Sequence, residues 1–479
     1  MRLTFDRLWI VIAVALPAFV ALLVPMPAVD LAYQVRAGDE ILRTGALPAT
    51  DTWTFTVAGT PWVDQQWLAQ VVLAAVHALG GWELLAVLRA VLVSAVTGLM
   101  VATGVALGAR TRTAAILALA GFLLGVMAMA LRPQLLGMAV FALLLLLVAA
   151  RRSHPRAFVL APILVALWAN LHGSFVLAPL LLGAAFLDDL RVGGPWRRSL
   201  VVLAAGAVAT LVNPFGLGAW TYAAGIGANP AITRMVSEWQ RTAAWRMPGV
   251  LFYPSLLVVV VLVARRLRGF ISTMPGTFLL GVSLAALGAW TERGVAWWGL
   301  ALPFLLAPVF ASPGPAPEPV DASRLPDWAP LHPARARRAS RVNGATAALL
   351  VALVIVALPW WRPEDPLAGR TGLLSYAPSE LAAALRDIAR PGDRVVAPQT
   401  WGSWLEWAVP DARYFIDSRF ELYPAEAWND HMALGTTRAG DVLDRWNVDI
   451  LVMEPGSDVP DGWRALETTP DGAIYVRTP

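Results

Sequence analysis

The sequence predicts a polytopic α-helical membrane protein with about 11 transmembrane helices and a small C-terminal α/β domain outside the membrane. Three observations carry this. Of 479 residues, 57% are hydrophobic and only 15% charged, with a mean hydropathy of +0.60, against about 25% charged in an ordinary soluble domain. The apolar residues come in runs of about 17 to 25, close to the length that crosses a bilayer as a helix. The short loops between these runs carry arginine, the signature of orientation in a membrane.

Residues 8–26 form the first run. It imitates a secretory signal but is long, ends in Pro25-Met26-Pro27 and lacks an Ala-x-Ala-like cleavage site, so it reads as a retained span. A polar, Trp-containing first outer loop follows over 30–66, then an amphipathic segment over 67–79. The latter is too short to cross and reads as interfacial. Later runs cover 83–107, 113–131, 134–150, 157–171, 172–187, 199–212, 248–264, 273–290, 296–311 and 344–360. With Arg2 and Arg7 in the cytoplasm, eleven spans place the clusters around Arg110, Arg151, Arg197, Arg265 and Arg337 inside as well. A twelfth span at 67–79 would invert nearly all of them.

This gives a membrane domain over 1–311, a Pro/Arg-rich cytoplasmic linker over 312–343, a last transmembrane helix over 344–361 and an extracytoplasmic domain over 362–479. In that domain 379–389 reads as an amphipathic helix with Ser379 as N-cap and Pro391-Gly392-Asp393 as its stop. Strand patterns occupy 394–397, 412–416, 449–453 and 473–477. The expected location is the cytoplasmic (inner) membrane, with the N-terminus inside and the C-terminal domain outside.

Composition excludes several chemistries. There is no Cys, hence no disulfide, thiolate nucleophile or zinc-thiolate site. All 37 basic residues are Arg. No P-loop, Gly-x-Gly-x-x-Gly or His-Glu-x-x-His pattern occurs, and no ligand spacing points to a metal or other cofactor. The net charge of +4 divides into +12 over 1–361, from 26 Arg and 14 acids, and −8 over 362–479, from 11 Arg and 19 acids. The basic excess therefore reports topology, and no nucleic-acid partner is expected.

The same topology sorts polar residues by side. The outer ends of the spans carry Asp30, Arg132-Pro133-Gln134, Asn170-Leu171-His172-Gly173, Asn213-Pro214, Glu238-Trp239 and Thr291-Glu292-Arg293. Ionisable groups near a bilayer are costly, so their collection on one side points to a shared outward cavity. Most have a plainer role: Asp30 as a solvated loop acid, Arg132 snorkelling, Asn170, His172 and Asn213-Pro214 shaping turns, Glu292 and Arg293 neutralising each other. Trp53, Trp62, Trp67, Trp239, Trp245, Trp297 and Trp298 read first as an interfacial belt. Asp417-Ser418-Arg419 follows a strand and resembles a ligand edge, with a structural ion pair as the first reading.

The most specific passage is the first outer loop: Asp30-Leu31-Ala32-Tyr33-Gln34-Val35-Arg36-Ala37-Gly38, then Gly45, Pro48, Asp51, Trp53, Phe55-Thr56, Gly59-Thr60-Pro61-Trp62-Val63 and Trp67-Leu68. It resembles bacterial membrane proteins of the GT-C glycosyltransferase superfamily, which carry an acidic residue after the first span, a large outer loop with interfacial helices, and many further spans. The resemblance covers residues 1–310. It implies transfer of a sugar, with inversion, from a polyprenyl-phosphate donor to a glycan, lipid or protein acceptor at the outer membrane face. Asp30 is then the catalytic base, and Arg132, Asn170, His172, Glu238, Trp239 and Arg293 the substrate-binding residues. No metal is expected. Gln34 and Gln66 depart from the family, standing where a His and an acidic residue would be expected.

Two other function classes compete: a transporter or flippase for a lipid-linked or small solute, and a non-catalytic GT-C-like scaffold. Transporters show paired repeats and Gly/Pro-broken helices near mid-membrane, and neither pattern is present here.

Overall fold

The computed structural model describes residues 3–311 and 333–478; most of the expected linker lies outside the described residues. A helix sits on every expected apolar run. Among the described residues five helices are long and apolar enough to cross a membrane unaided: Phe5–Leu23, Trp67–Ala106, Thr111–Ala128, Gly173–Arg191 and Glu292–Phe310. Gly249–Ala264 and Leu267–Thr273, bent by 84°, make a sixth as a broken pair, and shorter apolar helices occupy Pro133–Ala149, Pro155–Leu171, Pro275–Trp290 and Ser340–Val356. The bundle is that of a multi-pass membrane protein. Glu292–Phe310 is its axis, with 83% of its apolar window buried against Thr111–Gly125, Pro275–Trp290, Trp67–Ala106 and Gly249–Ala264.

Helix Trp67–Ala106 joins the expected interfacial segment to the next span. It breaks at Gly80 and Gly81, where Gly81 has φ +62, a value that favours glycine. Before it comes helix Ala28–Thr44, buried along Leu31, Ala32, Val35 and Ala37. A Cβ on Gly38 would lie 2.1 Å from the Gln70 carbonyl, so only glycine lets these two outer helices touch.

The C-terminal domain carries a five-stranded sheet of β1 (Arg394–Val396), β2 (Arg413–Tyr414), β3 (Ile450–Met453), β4 (Trp463–Thr469) and β5 (Gly472–Arg477), in the order β2-β1-β3-β5-β4. β2, β1 and β3 run parallel, while β5 and β4 are antiparallel additions. Four strands fall on expected segments; β4 does not. The expected helix is Ser379–Ile388, but Ser379 is its first helical residue rather than its cap. Its hydroxyl donates to Asp365 Oδ2 at 2.8 Å, and Asp471 Oδ2 accepts from Glu380 N at 3.0 Å in the capping role.

Backbone pairing ties this domain to the outer loop. Met26–Pro27 pairs in parallel with Leu374–Ser375. Residues 53–55 extend the sheet past β2, with Phe55 N donating to Tyr414 O at 3.0 Å and Tyr414 N to Trp53 O at 3.1 Å. At the junction lies Arg419, 1% exposed. It donates to Asp51 Oδ1 at 2.6 Å and, from Nε, to Asp417 Oδ2 at 2.8 Å. Its guanidinium carbon sits 4.3 Å from the Trp53 ring centroid and 4.6 Å from that of Trp62. The expected Asp417–Arg419 ion pair is therefore present, with a third member from the loop. Trp53, Trp62, Trp297 and Trp298 are buried, correcting the belt reading for these four. Trp245, 82% exposed, keeps the exposure that a belt residue needs.

Arg419→Met, which nearly preserves volume, leaves two buried carboxylates uncompensated and is expected to cost about 3–5 kcal/mol. Thermal unfolding in detergent should show a large drop, substantially restored when Asp51→Asn and Asp417→Asn are added.

Candidate active site

The outer side chains converge through four local devices. Asp30 lies in the first turn of Ala28–Thr44, just past Pro27. Arg132 immediately precedes helix Pro133–Ala149, with Pro133 as the first helical residue. Glu238 lies in the short 3₁₀ turn Ser237–Trp239. Arg293 is in the first turn of Glu292–Phe310, where Thr291 caps by accepting from Gly294 N.

These four form one chain of charge. Arg132 Nε lies 2.8 Å from Asp30 Oδ2, Arg132 Nη1 donates to Glu238 Oε1 at 2.7 Å, and Arg293 Nε donates to Glu238 Oε2 at 2.8 Å. The Arg293 guanidinium stacks over Trp239 at 5.1 Å. Arg293 thus pairs with Glu238 and not, as the plainer reading has it, with its neighbour Glu292. Burial alone would push the Glu238 carboxyl up, but Arg293 and Arg132 outweigh it and hold it down at about 2. The four side chains remain 20 to 32% exposed, because they line an open cavity rather than seal a core.

That cavity holds about 290 Å³ and is lined by Asp30, Arg132, His172, Glu238, Trp239 and Arg293 together. Six of the seven sequence-selected residues meet there. Asn170 does not line it: its amide donates to Ala166 O and Val212 O, and its Oδ1 accepts from Trp67 Nε1, so it braces three segments behind the wall. Asn213 likewise shapes a turn, accepting from Phe215 N at 2.9 Å. His172 accepts at Nδ1 from Ser174 N at 3.1 Å, which leaves Nε2 as the protonated nitrogen.

Both glutamine departures also line the cavity, and Gln34 Nε2 donates to Tyr33 Oη at 2.5 Å. Two residues before Gln66, Asp64 is buried and its Oδ1 accepts from Gln70 Nε2 at 2.7 Å. Among the described residues no three His, Asp or Glu side chains gather as a metal site. Tyr33 and Ser418, both within passages singled out in the sequence, also line the wall, and sequence reading missed Tyr222, Gln399, Phe420 and Glu421 there. Their types are ordinary at any surface, and no local signal marks them.

Solved structures share this architecture. The Archaeoglobus fulgidus oligosaccharyltransferase, tethered with an acceptor peptide containing the NVT sequon, matches over 98% of this chain and 74% of its own length, with TM-score 0.55 at 11% identity. ArnT from Cupriavidus metallidurans, bound to undecaprenyl phosphate, matches over 97% of both chains with TM-score 0.54 at 14% identity. The chain shares the fold of these two proteins. No protein-family model matches the sequence, and no curated protein does. At this identity the likeness concerns the fold, and the helical bundle, the loop over 30–66 and the C-terminal domain together frame the cavity.

Burial pushes the Asp64 carboxyl up to about 7, against the opposing hydrogen bond from Gln70. An unfolded Asp titrates near 3.9, so the folded protein binds the extra proton between about pH 4 and 7 and loses stability as pH rises through that window. Asp64→Asn should abolish this part of the loss. Melting curves at pH 5.5 and 8 are expected to differ by several degrees less in the variant than in the parent. An unchanged pH difference would reject a buried, protonated Asp64.

Proposed function

We propose that the protein is a membrane glycosyltransferase that moves a sugar from a polyprenyl-phosphate donor to an acceptor hydroxyl at the outer face of the cytoplasmic membrane. The observation that carries it is the convergence of Asp30, Arg132, Glu238 and Arg293 on one cavity in a GT-C fold. The match to ArnT bound to undecaprenyl phosphate supports a lipid-phosphate donor.

The chemistry follows from charge. The acceptor oxygen attacks the anomeric carbon opposite the phosphate; the bond from that carbon to the phosphate oxygen breaks, and its electron pair leaves with the polyprenyl phosphate. The acceptor proton passes to Asp30 as general base, and attack from the far side inverts the anomeric centre. The departing phosphate gains negative charge, which the Arg132 and Arg293 guanidiniums are suited to take up. Glu238, bonded to both, orients them and offsets their repulsion before the lipid arrives. His172 Nε2 supplies a neutral donor, and Trp239 an apolar face.

The arginine distribution supports an inner-membrane topology with the N-terminus in the cytoplasm and the C-terminal domain outside. Because the chain contains no Cys, single-cysteine variants have no background. An impermeant maleimide applied to intact cells should label Ser457→Cys and spare Ser153→Cys until the membrane is broken; the reverse pattern inverts the topology.

Asp30→Asn should leave insertion unchanged and lower consumption of lipid-linked sugar by about 10²-fold or more. Turnover within twofold of the parent in a stably inserted variant would remove Asp30 from the chemistry.

A further inference from the structure

The charged chain accounts for part of the cavity wall. Helix Gly218–Ala228 adds Tyr222, and the C-terminal domain adds Gln399, Ser418, Phe420 and Glu421. Three carboxyl groups therefore line the cavity, and they are not equivalent. Asp30 and Glu238 each pair with arginine. Glu421 instead accepts from the Tyr222 hydroxyl at 2.9 Å and has no arginine within ion-pairing distance among the described residues. Beside it, Gln399 Nε2 donates to Ser418 Oγ at 3.2 Å, and the Ser418 hydroxyl donates to Val29 O at 2.7 Å. Phe420 lies flat on Trp428, with centroids 4.5 Å apart and planes at 14°, so its ring is a fixed apolar face.

We propose that Glu421 and Tyr222 form a sugar subsite, hydrogen-bonding hydroxyl groups of the sugar carried by the lipid phosphate. This rests on the glycosyltransferase reading above and adds a residue pair to it. Charge assigns the two regions: an unpaired carboxyl repels a phosphate, which the Arg132 and Arg293 region attracts, whereas a carboxyl beside a phenol suits a polyol, accepting from hydroxyls while the phenol oxygen offers further capacity. Burial pushes the Glu421 carboxyl above the usual carboxylate range, with the Tyr222 hydrogen bond and Arg419 opposing the shift. Hydroxyl partners therefore restore solvation that the site has removed. Phe420 supplies the flat apolar surface on which the C–H face of a sugar ring packs. Size is compatible: about 290 Å³ lies just under the range of ligand pockets, about 300–1,000 Å³, and suits one sugar-sized group beside its phosphate. In the proposed step the pair positions the sugar and takes no proton; Asp30 keeps that role.

The test compares two ligands on the full-length protein in detergent: undecaprenyl phosphate, and undecaprenyl phosphate bearing glucose, mannose, galactose or arabinose, by native mass spectrometry or calorimetry. The parent should bind at least one sugar-bearing lipid about tenfold more tightly than the bare one. Glu421→Gln and Tyr222→Phe, both close to isosteric, should keep the bare-lipid affinity within about twofold while losing the tenfold preference. A parent with no preference, or variants that retain it, overturns the subsite and leaves the glycosyltransferase reading standing. A parent that binds neither class of lipid removes both. A variant that loses bare and sugar-bearing lipid alike makes the pair structural and overturns the assignment.

Discussion

The structure depends on one buried cation. Arg419 sits where the C-terminal domain meets the first outer loop, held between Asp51 of the loop and Asp417 of its own domain and enclosed by Trp53 and Trp62. A buried ion pair contributes little net stability compared with apolar packing, but removing one member is costly because the other charge is left stranded. Such a node favours one docked arrangement over all others. The backbone pairings at Met26–Pro27 with Leu374–Ser375 and at Trp53 with Tyr414 then fix the register. Docking matters because the cavity has walls from both sides: Asp30 and Gln66 from the outer loop, Gln399 and Glu421 from the C-terminal domain.

Within the cavity, charge is balanced rather than accumulated. Glu238 binds Arg132 and Arg293, and Asp30 adds a second carboxylate to Arg132. Two guanidiniums without these partners would repel each other at the edge of a low-dielectric medium. With them, the site is preorganised at nearly neutral local charge. In the proposed reaction the incoming phosphodiester carries one negative charge and the departing phosphate two, and both cations stand ready for the second charge by exchanging hydrogen bonds rather than by being drawn from water. Asp30 is placed by the same network, since Arg132 reaches it directly.

Sequence reading reached most of the charged site because the relevant quantity is local: an ionisable residue at the end of an apolar run is costly wherever the run packs. Asp30, Arg132, Glu238 and Arg293 were legible for that reason, and the expectation of a shared cavity followed from their common side. Residues whose role depends on tertiary docking were not. Glu421 is one acid among 19 in its domain, and only the approach of Tyr222 distinguishes it. Asn170 carried the same sequence signal as His172, yet its amide is turned into the helix packing. Trp53 and Trp297 read as belt residues because composition cannot separate an interfacial tryptophan from one buried under a neighbouring segment. Strand β4 escaped for a related reason: at the sheet edge only Trp463 is buried, so the period-2 alternation that marks a strand is missing. The Asp471-Gly472 turn before β5 was its one available signal.

The central claim is that this cavity is a lipid-phosphate site closed by the docked C-terminal domain. A structure of the protein solved with undecaprenyl phosphate tests it most directly. The account predicts the phosphate oxygens within hydrogen-bonding distance of the Arg132 and Arg293 guanidiniums, with the polyprenyl chain leaving toward the membrane helices and Asp30 across the position of the sugar from the phosphate. A phosphate bound elsewhere, with the Arg132–Glu238–Arg293 network undisturbed, would contradict it.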